Sequence, residues 1–220
     1  MPKIRIRQHV NPLSRKFQEA IAIPDWQEVY EDLSLPLHLD IGCARGKFIL
    51  EMAQLYPHRN FLGIEIRRLL VENANREKDA LGLSNLHYLY GSINYSAKNI
   101  LKSLPANVLQ YISVQFPDPW FKRKHNKRRV IQPELVDTLV DCLQPQGMVF
   151  LQSDIEEVAL EMTARFDGHP SLVKQHQGTW LGENPLPVPT ERELYVLADN
   201  LPVYRSLFQK SLDLTPESDR

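Results

Sequence analysis

Five times between residues 35 and 166 the chain passes through a short apolar run and then a longer stretch with helical spacing. The runs are "LPLHLDIG" (35–42), "NFLGIEI" (60–66), "NLHYLYG" (85–91), "VLQYISVQF" (108–116) and "GMVFLQSD" (147–154). The spacing predicts helices over 47–56, 67–81, 96–104, 133–143 and 155–166. The fourth carries Pro133 in its first turn, where a missing N–H costs nothing. Strands alternating with helices need crossover connections. The fold class is therefore α/β, a mainly parallel central sheet with helices on both faces. Residues 172–177 and 203–209 are expected to add strands. Ligands of such sheets sit beyond the C-terminal strand ends. That rule directs attention to 40–46, Glu65, 91–94, 116–120 and Asp154.

A length of 220 residues suits one domain with a small extension. Residues 1–34 read as a basic N-terminal arm and linker, and 35–220 as the folded domain. No apolar run is long enough for a membrane span, and "MPKIRIRQHVNPLSRKF" lacks the apolar stretch of a signal peptide. The two cysteines, Cys43 and Cys142, show no metal spacing or disulfide framework, and the seven histidines show no ligand spacing either. A reduced, cytoplasmic protein that binds no metal is the expectation, either a monomer or a homodimer.

Net charge is −1, which alone argues against a nucleic-acid partner. The distribution argues the other way. Lys122, Arg123, Lys124, Lys127, Arg128 and Arg129 fall within eight residues, and Lys3, Arg5, Arg7, Arg15 and Lys16 precede the first acid at Glu19. The remaining chain has 15 cations against 27 acids. A local positive field steers a polyanion at close range whatever the net charge.

The first strand-like run ends in "DIGCARG". Gly42 and Gly46 allow a tight turn and close approach of a ligand to the backbone. The second glycine of G-x-G-x-x-G is missing, which disfavours a dinucleotide and a nicotinamide-dependent oxidoreductase. Glu65 ends the second run about 20 residues on, where an acid accepts from ribose hydroxyls; an ion pair to Arg67 or Arg68 is the structural alternative. "GSIN" ends the third run, and Ser92 or Asn94 is placed to meet an adenine edge.

"LDIGCARG" and "GIEI" resemble the first two motifs of class I S-adenosylmethionine-dependent methyltransferases. "PDPWFKRKHNKRR", "QSD" and "TERE" resemble the bacterial tRNA (guanine-N7)-methyltransferase family, and the likeness spans roughly 37–210. The resemblance implies a Rossmann-like methyltransferase domain, S-adenosyl-L-methionine as cofactor, and a tRNA guanine of the variable loop as substrate. It assigns cofactor contacts to Asp40 and Glu65, and a third to Ser92 or Asn94. Asp118 falls at both cofactor and active site. Lys122, Asp154 and the run Thr190, Glu191, Arg192, Glu193 fall at substrate positions.

The chemistry suits these residues. Guanine N7 has a lone pair and no proton, so methylation there needs positioning more than a base. The purine becomes cationic as the methyl arrives, and a carboxylate at Asp118 offsets that charge or accepts from the guanine N1–H and amino group. Trp120 offers a stacking face or is a core residue. Lys122 reaches a phosphate or guanine O6, and the cations from Arg123 to Arg129 bind the RNA backbone without sequence preference. "TERE" is also a T-x-x-E capping box, and Asp154 is also placed to cap the next helix. Two rival functions share the fold: methylation of an exocyclic amino group, for which "DPW" lacks a second proline, and RNA binding without catalysis.

Overall fold

The computed structural model describes residues 10–212. Lys3, Arg5 and Arg7 of the expected arm lie outside the described residues. The strands are β1 (Leu37–Ile41), β2 (Asn60–Glu65), β3 (Leu86–Tyr90), β4 (Leu109–Gln115), β5 (Met148–Ser153), β6 (Leu172–Lys174) and β7 (Tyr204–Lys210). The helices are α1 (Trp26–Val29), α2 (Lys47–Leu55), α3 (Arg68–Ala80), α4 (Ile93–Lys102), α5 (Pro133–Cys142), α6 (Glu156–Asp167) and α7 (Glu191–Ala198).

One sheet runs in the order β3-β2-β1-β4-β5-β7-β6. Neighbours from β3 to β5 pair in parallel, and β7 is antiparallel to both β5 and β6. The chain builds outward from β1 to β3, then returns to lay β4 on the other side of β1. That reversal opens a crevice beyond the strand ends.

Each face of the sheet has its own apolar core. Leu37, Leu39 and Ile41 of β1 point to the face covered by α4, α5 and α6. Phe61, Leu86 and Tyr88 point to the opposite face, under α2 and α3. His38 and Asp40 share that second face through the two-residue period of a strand, and both are buried. The segment before β1 is packed as well. Trp26 donates to Ser103 Oγ at 2.8 Å, Tyr30 donates to the Phe61 carbonyl at 2.9 Å, and Phe17 is buried.

Helix α4 begins at Ile93, three residues before the expected start, because the chain turns directly out of β3 at Gly91 (φ +150°). The basic run forms a 3-10 turn over Arg123–Arg128.

Candidate active site

A cleft of about 900 Å³ opens beyond the C-terminal ends of β1, β2, β4 and β5, with α7 on its rim. Asp40, Gly42, Glu65, Ser92, Asn94, Asp118, Asp154, Thr190, Glu191 and Arg192 all line it. Gly46, Lys122 and Glu193 do not.

The turn after β1 gives its two glycines different work. At Gly42 (φ +79°) an added Cβ would meet nothing within 4 Å, so this backbone faces open cleft. At Gly46 (φ +73°) an added Cβ would lie 2.4 Å from the Tyr88 ring, whose hydroxyl donates to the Gly46 carbonyl at 2.8 Å. Gly46 is thus a packing glycine that seats α2 on the sheet, contrary to its expected place among the cofactor contacts. Between them Ala44 holds φ 51°, a conformation uncommon for a residue with a Cβ. Its N–H donates to Glu65 Oε2 at 3.0 Å.

Asp40 Oδ1 accepts from Ser113 Oγ at 2.6 Å and from Gln115 Nε2 at 3.4 Å. Burial pushes its carboxyl up to about 6, against the two hydrogen bonds and with the Glu65 charge. His38 Nε2 lies 2.9 Å from the same Ser113 oxygen. Burial lowers His38 to about 3, so its ring is neutral at physiological pH. With the Ser113 proton directed at Asp40, the His38 ring must donate to the serine.

The Glu65 carboxylate is fully engaged. Oε1 accepts from the Arg67 N–H at 2.9 Å and Nε at 2.8 Å, and Oε2 accepts from Ala44 N and from the Arg67 guanidinium at 2.9 Å. The ion pair weighed against ribose binding is therefore present, with Arg67; Arg68 pairs with Glu72 instead. Arg67 is held above its ordinary pKa, first by the bond to Glu65 and further by the charge of Asp118. One guanidinium thus lies in the fields of both acids.

After β4 the chain turns through Phe116 (φ 48°) and Trp120 (φ 45°), left-handed conformations at two bulky residues. Asp118, between them, is exposed to the cleft. Trp120 is half-buried in the cleft wall rather than a core residue. The Arg128 guanidinium lies 4.9 Å from its ring centroid, and the His125 ring meets it edge-on at 5.7 Å. Lys122, Arg123, Lys124 and Lys127 are exposed outside the cleft.

Arg129 departs from the expected row of phosphate contacts. It is only 6% exposed. It donates to the Pro119 carbonyl at 2.8 Å and pairs with Glu157 at 2.6 Å and with Glu161.

Across the cleft Asp154 pairs with Arg192, and Arg45 with Glu191 at 3.4 Å. The first pair replaces the expected cap: the N-cap of α6 is Ile155, with no side-chain bond. At the start of α7 half of the capping box forms. Thr190 Oγ1 accepts from Glu193 N at 3.1 Å. The Glu193 side chain turns inward, 2% exposed, and accepts from Arg205 at 2.7 Å, Gln152 at 3.1 Å and Asn184 at 2.8 Å. Glu193, expected at a substrate position, is thus buried among structural partners and does not line the cleft.

Sequence reasoning passed over Ser113, Gln115 and Gln152. Gln152 donates to Gln115 at 2.8 Å and accepts from Arg205 at 3.2 Å, so polar side chains run across β1, β4, β5 and β7 under the cleft. A signal existed: these are polar residues inside runs that otherwise read as buried strands. Phe121, 68% exposed at the cleft, carried no comparable mark.

A family model described as a putative methyltransferase matches residues 34–206. A tRNA (guanine-N(7)-)-methyltransferase of Microcystis aeruginosa is 59% identical over 209 residues, 95% of this chain and 99% of that one. One of the same name from Synechocystis is 55% identical over 211 residues, 96% and 100% of the two chains. Among solved structures, the 16S rRNA methyltransferase KamB superposes with a TM-score of 0.56 at 16% identity, covering 85% of this chain and 91% of that one. A 30S ribosomal A1408 methyltransferase from an uncultured bacterium gives 0.53 at 15% identity, covering 87% and 97%. These two show the shared fold, the Rossmann-like sheet of class I methyltransferases. Matched along nearly its whole length at this identity, the chain belongs to the tRNA (guanine-N(7)-)-methyltransferase family.

Proposed function

We propose that this protein transfers a methyl group from S-adenosylmethionine to N7 of a guanine in the variable loop of tRNA, giving 7-methylguanosine. One observation carries the reading. Asp40, Glu65 and Asp118, from the ends of three adjacent strands, share a single cleft whose β4 wall continues into exposed cations. The names of the relatives matched along the whole chain agree with it.

The residues fit the cofactor. Gly42 leaves backbone open to the cleft where a side chain would intrude. Asp40 and Glu65 offer carboxylates to the cofactor's amino and hydroxyl groups, and Ser92 or Asn94 takes the adenine edge. The four donors now on Glu65 fill its ordinary acceptor capacity. Two of the four are backbone N–H groups and two belong to the Arg67 guanidinium, so a ribose diol enters by displacing that guanidinium. When bound, the cofactor supplies an electrophilic methyl on a sulfonium.

This chain then has to hold guanine N7 in line with that methyl. No proton leaves N7, so orientation supplies much of the rate. Asp118 accepts from the guanine Watson–Crick edge and offsets the charge growing on the purine. Trp120 gives the base a face to lie against. Lys122, Asp154, Thr190, Glu191 and Arg192 contact the RNA around the target. Lys122 to Arg128 hold phosphates at the rim. A tRNA substrate places the protein in the cytoplasm. Among the described residues no helix is long and apolar enough to cross a membrane.

The test is methyl transfer from labelled S-adenosylmethionine to unmodified tRNA, followed by nucleoside mapping. The expected product is 7-methylguanosine. Label on an exocyclic amino group would establish the nearest rival instead, and RNA retention without turnover would establish a binding protein.

A further inference from the structure

We propose that Arg129, the last cation of the basic run, is a positioning residue that fixes the Asp118–Trp120 segment for methyl transfer and does not contact RNA. The inference rests on the function proposed above.

Six cations crowd into eight residues, yet only this one is buried. Its guanidinium is spent in three directions. Nε donates to the Pro119 carbonyl, one terminal nitrogen to Glu157 and the other to Glu161. Glu157 and Glu161 are four residues apart on α6 and so share a helix face. The other oxygen of Glu161 is paired with Arg165. Helix α6 is itself anchored in the core by Val158, Met162 and Phe166. Glu157 is open to solvent, but the Arg129 side chain is only 6% exposed, so a phosphate could claim it only by breaking two charge-assisted pairs and uncovering the guanidinium.

Pro119 is the residue between Asp118 and Trp120. Left-handed backbone at Phe116 and Trp120 persists only where the surroundings over-determine it. Arg129 supplies that constraint at the one carbonyl lying between the candidate catalytic acid and the candidate stacking ring. Its own N–H donates to Asn126 O at 3.0 Å, and its carbonyl accepts from Gln132 at 2.7 Å. The same residue therefore also closes the 3-10 turn that presents the exposed cations. Arginine suits the task because its planar fork meets three partners in fixed directions, which an ammonium cannot.

The experiment compares full-length Arg129→Gln, Glu157→Gln/Glu161→Gln and Lys127→Gln with the wild type. Two readouts are taken: the salt dependence of tRNA affinity, and the single-turnover methylation rate at saturating RNA and cofactor. Lys127→Gln, at a rim phosphate position, is expected to flatten the slope of log affinity against log salt by roughly 0.7–0.9. Arg129→Gln is expected to keep the slope and lower the rate about tenfold or more, as a misplaced reacting group does. The acid-side double variant is expected to do the same, and it decides the matter if Arg129→Gln does not fold. The opposite pattern overturns the proposal: a flattened slope with a wild-type rate for Arg129→Gln, or tighter RNA binding with an unchanged rate once the two glutamates are gone. If the wild type makes no 7-methylguanosine the proposed function fails. The salt slopes, which need no turnover, still decide whether Arg129 touches RNA.

Discussion

Glu193 and Arg205 form an ion pair inside the protein, 2.7 Å apart, one residue from the Arg192 side chain that reaches the cleft. Successive residues at the start of a helix point about 100° apart, so α7 offers Arg192 to the cleft and sends Glu193 inward. Gln152 touches both partners of the pair and also Gln115, which reaches Asp40. Helix α7 and the Asp40 carboxyl therefore rest on one buried polar row. Each member depends on its neighbours, because an unpaired group at that depth is costly.

The first prediction follows from that depth. Glu193→Ala strands the Arg205 charge and is expected to destabilise the fold by about 3–5 kcal/mol. Thr190→Ala, which removes the α7 cap and strands no buried charge, is expected to cost about 1 kcal/mol of stability. Denaturant unfolding measures both. An unchanged midpoint for Glu193→Ala together with weaker tRNA binding would restore Glu193 as an RNA contact.

A second prediction concerns Asp40, whose carboxyl burial has pushed up to about 6 from 3.8. Between those values the folded protein binds a proton more tightly than the unfolded chain. Stability from this group is therefore greatest at low pH and is lost as pH rises through about 6. Against Asp40→Asn, the wild type is expected to gain about 2 kcal/mol between pH 7 and pH 4.5. Cofactor affinity should move the opposite way, tightening as the carboxylate forms. Parallel unfolding and cofactor titrations across that range check both signs. A stability difference that does not vary with pH would show that Asp40 titrates as an exposed acid.

The strand-end residues were legible in the sequence because the α/β rule names the place before any contact is known. Asp40, Glu65, Ser92, Asp118 and Asp154 all lie where that rule puts them. What stayed hidden was depth. Arg129 and Arg128 are neighbours of one charge, yet one is buried and the other faces Trp120. The partners that decide this, Glu157 and Glu161, are 28 and 32 residues away. Glu193 is similar: its spacing from Thr190 announces a capping box, while Gln152, 41 residues back, draws the side chain inward. The two glycines of the first turn also look alike in sequence, and only the Tyr88 ring separates them.

Asp118 carries the third prediction. If it orients the base and offsets developing charge, Asp118→Asn keeps part of the hydrogen bonding and loses the charge. Its single-turnover rate at saturation is expected to fall about 10²–10³-fold, the cost of removing one preorganised electrostatic group. Affinity for tRNA should change little, because the rim cations supply it. The shape of the pH–rate profile should change as well. A variant with a normal single-turnover rate and an unaltered profile would remove Asp118 from the chemistry.

The same substitution at two positions of one turn gives the last prediction. Gly42→Ala and Gly46→Ala each place a Cβ in a left-handed backbone, which costs roughly 1–2 kcal/mol. At Gly42 nothing stands within 4 Å, so stability should fall by no more than that. The new methyl then lies in the space meant for the cofactor, and S-adenosylmethionine affinity should drop about tenfold or more, the effect of roughly 1.4 kcal/mol. At Gly46 the methyl collides with Tyr88 at 2.4 Å and crowds the ring that donates to the Gly46 carbonyl. Overpacking adds about 1–3 kcal/mol there, so Gly46→Ala should lower the melting temperature well below that of Gly42→Ala. Cofactor binding by its folded fraction should stay closer to wild type. Thermal unfolding and calorimetric titration separate the two. Equal stability losses, or a larger affinity loss at Gly46, would show that the second glycine faces the cofactor after all.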